Sequence, residues 1–195
     1  MNRAAQTVCL LLPVALLLAP AGRAAADKLA APRAYVQSGP DGVFYARCVP
    51  SADAARSAAA GRTTVYEVEG ERDRVLDRYD WYAPGGVTLG WLPLSGKVAV
   101  AAVFDVAADA AGGWRAQEQL RFSMGGRLLK SYTAADLIAL GAAERADSRG
   151  RRGAALRVAG CEQMPGTNAY DFIADVGEGR LLRFDITTGE PRAAR

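Results

Sequence analysis

Glycine-marked turns recur along this chain, each set between two runs of β-branched, aromatic or alternating apolar residues. Gly39-Pro40-Asp41-Gly42 separates residues 33–38 from 43–49, and Pro93-Leu94-Ser95-Gly96 separates 87–92 from 98–104. Gly125-Gly126 separates 119–124 from 127–132 and suits a two-residue primed turn. Gly177-Glu178-Gly179 separates 169–176 from 180–186. Short strands closed by such turns read as antiparallel hairpins. Residues 63–68 form a further strand before Glu69-Gly70-Glu71, and the aromatic end of 74–82 argues for strand there too.

Two short helices fit between the hairpins. Ser51 is placed to cap an alanine-rich segment that stops at Gly61. Thr133 and Asp136 resemble a capping box opening a helix over 134–140, with Gly141 at its end. The fold expected is mainly β, an antiparallel sandwich or partly closed barrel with one or two short helices. A small propeller-like meander is the alternative. It rests on two similar phrases, 126–132 and 179–185, each following a glycine turn and starting a strand. Their spacing is too irregular for a repeat array.

Residues 1–26 read as a secretory signal peptide. Arg3 supplies a positive start, Val8 to Ala19 an apolar core, and Ala24-Ala25-Ala26 a small-residue cleavage site before Asp27. The core is well short of the ~20 residues of a membrane-spanning helix, so no span is expected after cleavage. Residues 27–195 are then one exported β-rich domain, periplasmic or secreted. Without Arg3 and Arg23 it carries 22 basic and 21 acidic residues, a formal charge of +1. That is no field for nucleic acid. Two cysteines remain, Cys48 and Cys161, and in an oxidising compartment the simplest expectation is one disulfide. It would close a loop long enough to stabilise the fold by about 4.7 kcal/mol.

The chain contains no histidine. This removes Ser-His-Asp and Cys-His nucleophiles and every His-ligated metal site. No serine stands three residues before Lys28, Lys97 or Lys130, so a Ser-x-x-Lys nucleophile is absent too. The glycines sit at hairpins, where neither a phosphate loop nor a dinucleotide fingerprint belongs. No cofactor is expected.

In the last hairpin the register can be derived. With the turn at 177–179, Phe172 meets Phe184, Ala174 meets Leu182 and Tyr170 meets Ile186, so the large apolar residues share one face. A one-residue slip would split the two phenylalanines. The same register sets Asp171 opposite Asp185 on the other face, with Cβ atoms ~4.5–5.5 Å apart, where like charges are unfavourable. Arg183, diagonal to Asp171 and Asp175, is the expected relief. Two alternatives are a bound Ca²⁺ and a proton-sharing catalytic pair at the spacing of retaining glycosidases.

The densest aromatic stretch is Tyr79-Asp80-Trp81-Tyr82, with Trp91 beyond it. These rings are either core or the wall of a ligand groove, and core is the commoner fate of aromatics in a small domain. Arg145, Arg149, Arg151, Arg152 and Arg157 form an arginine-rich stretch interrupted by Glu144 and Asp147, which reads as a solvated loop. Export, β architecture and the missing catalytic motifs lead to a non-enzymatic cell-envelope module of a bacterium. It would bind an envelope protein or glycan, with Tyr79, Trp81, Tyr82 and Trp91 as candidate ligand-binding residues. The alternatives are a carboxylate-dependent hydrolase of envelope saccharide or peptide, using Asp171 and Asp185, and a Ca²⁺-stabilised structural domain.

Overall fold

A computed structural model describes residues 32–52, 60–105, 113–146, 151–167 and 169–193. The signal segment, most of the expected 51–61 helix and Arg149 lie outside these residues. Three four-stranded antiparallel meanders follow one another along the chain. The first sheet holds β1 (Tyr35–Ser38), β2 (Phe44–Pro50), β3 (Gly61–Glu69) and β4 (Arg72–Tyr79). The central sheet holds β5 (Val87–Leu92), β6 (Lys97–Val103), β7 (Glu118–Met124) and β8 (Arg127–Thr133). A 3-10 turn, Trp114–Ala116, precedes β7, and helix α1 (Ala134–Ala139) follows β8. A two-stranded ribbon, β9 (Glu144–Ala146) with β10 (Arg152–Ala154), leads to the last sheet: β11 (Arg157–Gln163), β12 (Tyr170–Asp175), β13 (Leu181–Asp185) and β14 (Pro191–Arg192).

The architecture is sandwich-like and mainly antiparallel β, and no barrel closes among the described strands. The central sheet is covered on both faces, and β6 shows why. Its run Val98-Ala99-Val100-Ala101-Ala102-Val103 has no polar alternation, because neither face meets water. Val98, Val100 and Ala102 join Phe44, Ala46, Cys48 and Val65 of the first sheet. Ala99, Ala101 and Val103 join Phe172, Ala174 and Phe184 of the last sheet. The small alanines make room there for a ring cluster in which Phe122 lies 5.7 Å from Phe172 and 5.5 Å from Phe184. Gly90 of β5 permits the same close packing, since a Cβ there would lie 3.0 Å from Ile186 Cγ2.

Local rules are obeyed at the turns and caps. Gly125 and Gly126 both take positive φ, 59° and 72°, as a primed hairpin turn requires. Thr133 and Asp136 close a reciprocal capping box on α1. The arginine-rich stretch is not simply a loop: it supplies both strands of the ribbon.

The expected disulfide is absent. Cys48 is fully buried between the first and central sheets, whereas Cys161 packs against the core on the other side of the central sheet. A bridge would have to join side chains committed to two different cores. Burial pushes both thiols up, Cys161 to about 12 with the Asp171 and Glu162 charges adding to the effect.

Candidate functional site

The expected aromatic groove is filled in. β4 ends at Tyr79, and the chain then crosses toward the central sheet with Tyr79, Trp81 and Tyr82 all buried. Tyr79 stacks on Trp81 at 5.0 Å, and Trp81 meets Phe104 edge-on. The hydroxyls here are used internally. Tyr82 donates to the Arg33 carbonyl at 3.0 Å, and Tyr35 to the Ala83 carbonyl at 2.6 Å. Trp91 is half-buried and stacks on Phe44 at 4.5 Å. Tyr79, Trp81 and Tyr82 are core, the commoner fate named above.

The carboxylate pair forms as the register requires: Asp171 stands opposite Asp185 and Phe172 opposite Phe184. Glu162 extends the row onto β11. The relief comes chiefly from an arginine that the two-residue strand β14 brings in. Arg192 bridges both acids, with Nε 2.8 Å from Asp171 Oδ1 and Nη2 2.5 Å from Asp185 Oδ2. Its Nε–H is not aimed at the Asp171 oxygen, so that contact is an ion pair without a hydrogen bond. Arg183 is 2.8 Å from Glu162 but 3.9 Å from Asp171. Asp185 Oδ1 accepts from both the backbone N–H and the hydroxyl of Thr187, at 2.8 and 2.6 Å. Every carboxylate of the row has a positive partner within the sheet. A cation is not needed to relieve their repulsion, and both aspartates are engaged by Arg192.

The outer face of the first sheet is built differently. Thr63 points inward, donating to the Trp81 carbonyl at 2.9 Å, so its neighbours Arg62 and Thr64 point out. Directly opposed residues share a face. The pairing of Arg47 with Thr64, and of Thr64 with Arg78, therefore makes one outward row across β2, β3 and β4. The next row pairs Tyr45 with Tyr66, whose rings stack at 4.9 Å and 15°. On the other side Val49 pairs with Arg62. Arg47, Arg62 and Arg78 are exposed, and none makes an ion pair with a described residue. An open depression of about 590 Å³ lies on this face, with Arg47, Val49, Arg62, Thr64, Tyr66 and Asp80 among its lining. Tyr45 donates to Asp73, and that bond raises its pKa to about 12.

This face was not singled out from the sequence, although the signal was there. Strand 43–49 alternates Phe, Ala and Cys with Tyr, Arg and Val, so one half of it faces out. The rows appear only once β3 is set beside it. In the arginine-rich stretch, Glu144 pairs with Arg115 at 3.2 Å and lies 3.9 Å from Arg152. Among the described residues no three His, Cys, Asp or Glu side chains gather as metal ligands, and no helix is long and apolar enough to cross a membrane. No family model, curated protein or solved structure matches this chain.

Proposed function

We propose that this chain is an exported, non-enzymatic binding module of the bacterial cell envelope, periplasmic or secreted. It holds its envelope partner on the outer face of the first sheet. The observation that carries this is the patch of exposed arginines, Arg47, Arg62 and Arg78, without an ion pair to a described residue, beside a stacked tyrosine pair and an open depression. Three like charges on one strand-paired patch repel one another, and a bound anion removes that cost. Stacked tyrosines offer a rigid apolar wall at low entropic cost.

The hydrolase reading has less support, because its two aspartates are held by Arg192 and Thr187. The test is co-sedimentation of the purified protein with washed envelope fragments. The wild type is expected to pellet and the Arg47→Glu/Arg62→Glu variant to stay in solution. Equal pelleting of the two would overturn the assignment of the face. Export is tested by the intact mass of the protein recovered from the envelope fraction, expected to begin at Asp27.

A further inference from the structure

The depression on the first sheet combines groups that rarely serve one simple ligand. Arg47 and Arg62 supply two forked cation sites suited to a carboxylate, sulfate or phosphate. Tyr66 supplies an aromatic wall, and its other ring face is occupied by Tyr45. Asp80, exposed and without an ion-pair partner among the described residues, adds a full negative charge to the same lining. A ligand that is only a dense run of charge meets repulsion from Asp80. A ligand with one anionic group per unit, several hydroxyls and an apolar ring face uses all three features. Its anion goes to the arginines, its hydroxyls donate to Asp80, and its C–H face covers Tyr66.

We propose that this depression takes an acidic saccharide, a chain of pyranose units bearing carboxylate or another single anionic group. The proposal rests on the reading of the first sheet as the binding face and names the ligand class for it. The row spacing agrees. Arg47 and Arg78 flank Thr64 one strand to each side, so their backbones stand roughly 10 Å apart at ~4.8 Å per strand. That is about the length of two sugar units, so Arg47 in the depression and Arg78 just beyond its lining meet alternate acidic groups along an extended chain.

The experiment is calorimetric titration of the full protein with four probes at equal ionic strength. They are an oligogalacturonate hexamer, maltohexaose as neutral sugar, hexaglutamate as acidic peptide, and a thymidine hexanucleotide. The uronate is expected to bind at least tenfold more tightly than the other three. Arg47→Ala, Arg62→Ala and Tyr66→Ala should each weaken it at least fivefold, and Asp80→Asn should narrow the gap between uronate and hexaglutamate. Each variant is first shown to keep the wild-type melting temperature within a few degrees. Where Tyr66→Ala fails this, Tyr66→Leu replaces it, keeping bulk without the aromatic face. Equal or tighter binding of hexaglutamate, of the nucleotide or of maltohexaose overturns the saccharide assignment, and so does binding of no probe. Envelope pelleting that is still lost in Arg47→Glu/Arg62→Glu then shows that only the ligand class was wrong. Pelleting that survives those substitutions shows that the face itself was wrong.

Discussion

The two outer faces of the stack carry similar residues and have opposite characters. On the last sheet, Glu162, Asp171 and Asp185 stand in a row, and Arg183 and Arg192 close onto them. On the first sheet, Arg47, Thr64 and Arg78 stand in a row, and no carboxylate of a described residue makes an ion pair with its arginines, although Asp80 lines the same depression. One face satisfies itself, and its charges belong to the fold. The other leaves its charges to solvent or to a ligand. Charge on a sheet face therefore says little about function until its partners are known.

The largest expected effect is on the closed face. Asp171 is only 4% exposed, and Arg192→Ala would leave its charge buried with Arg183 3.9 Å away. Breaking one side of a buried pair costs about 3 kcal/mol, read as a lower urea midpoint. The double variant Arg192→Leu/Asp171→Asn should recover a good part of that loss. No midpoint shift in Arg192→Ala would mean that the last face is not locked by its arginine.

A smaller effect is expected at the tyrosine stack. Tyr66→Ala removes its contact with Tyr45 and should lower stability by about 1 kcal/mol, the scale of an aromatic pair. Smaller still, and opposite in sign, is the effect of relieving the open row. Replacing Arg47, Arg62 and Arg78 together by Gln should leave the urea midpoint unchanged at high salt. At low salt, where repulsion is least screened, the midpoint should rise slightly. A clear loss of stability in that variant would show that these arginines do have internal partners, and would erase the contrast between the faces.

The cysteines give the finest test. Cys161 titrates near 12 because burial disfavours its thiolate. Its protonated form is bound more tightly in the folded state. The stability it contributes is whole below the ordinary thiol value of 9.0 and is lost as pH rises toward 12. Stability should fall more steeply between pH 9 and pH 11 in the wild type than in Cys161→Ala. Both thiols should resist a thiol reagent at pH 8 until the protein is unfolded, and a reductant should not move the melting temperature.

The parts of this structure that were legible in sequence are those set by short-range rules. The 177–179 turn and the alternation of Phe172 and Phe184 were enough to place Asp171 opposite Asp185. The capping box and the Gly125-Gly126 turn were legible for the same reason. Arg192 was not, because β14 is two residues long and begins at a proline, too short for any periodicity. β11 was missed because a bulge between Val158 and Gly160 breaks its alternation. The arginine row was missed because it crosses three strands, and its register depends on pairing residues 44–50 with 61–69, beyond any tight turn. The cysteine count and expected compartment suggested a bridge, but nothing local reveals that the two side chains enter different cores.

The most direct test of the contrast between the faces is hydrogen exchange of the protein with and without envelope fragments. The expected result is added protection in peptides covering 44–50 and 61–69, with no change in peptides covering 170–185. Protection confined to 170–185 would contradict the account and move the binding surface to the face described here as closed.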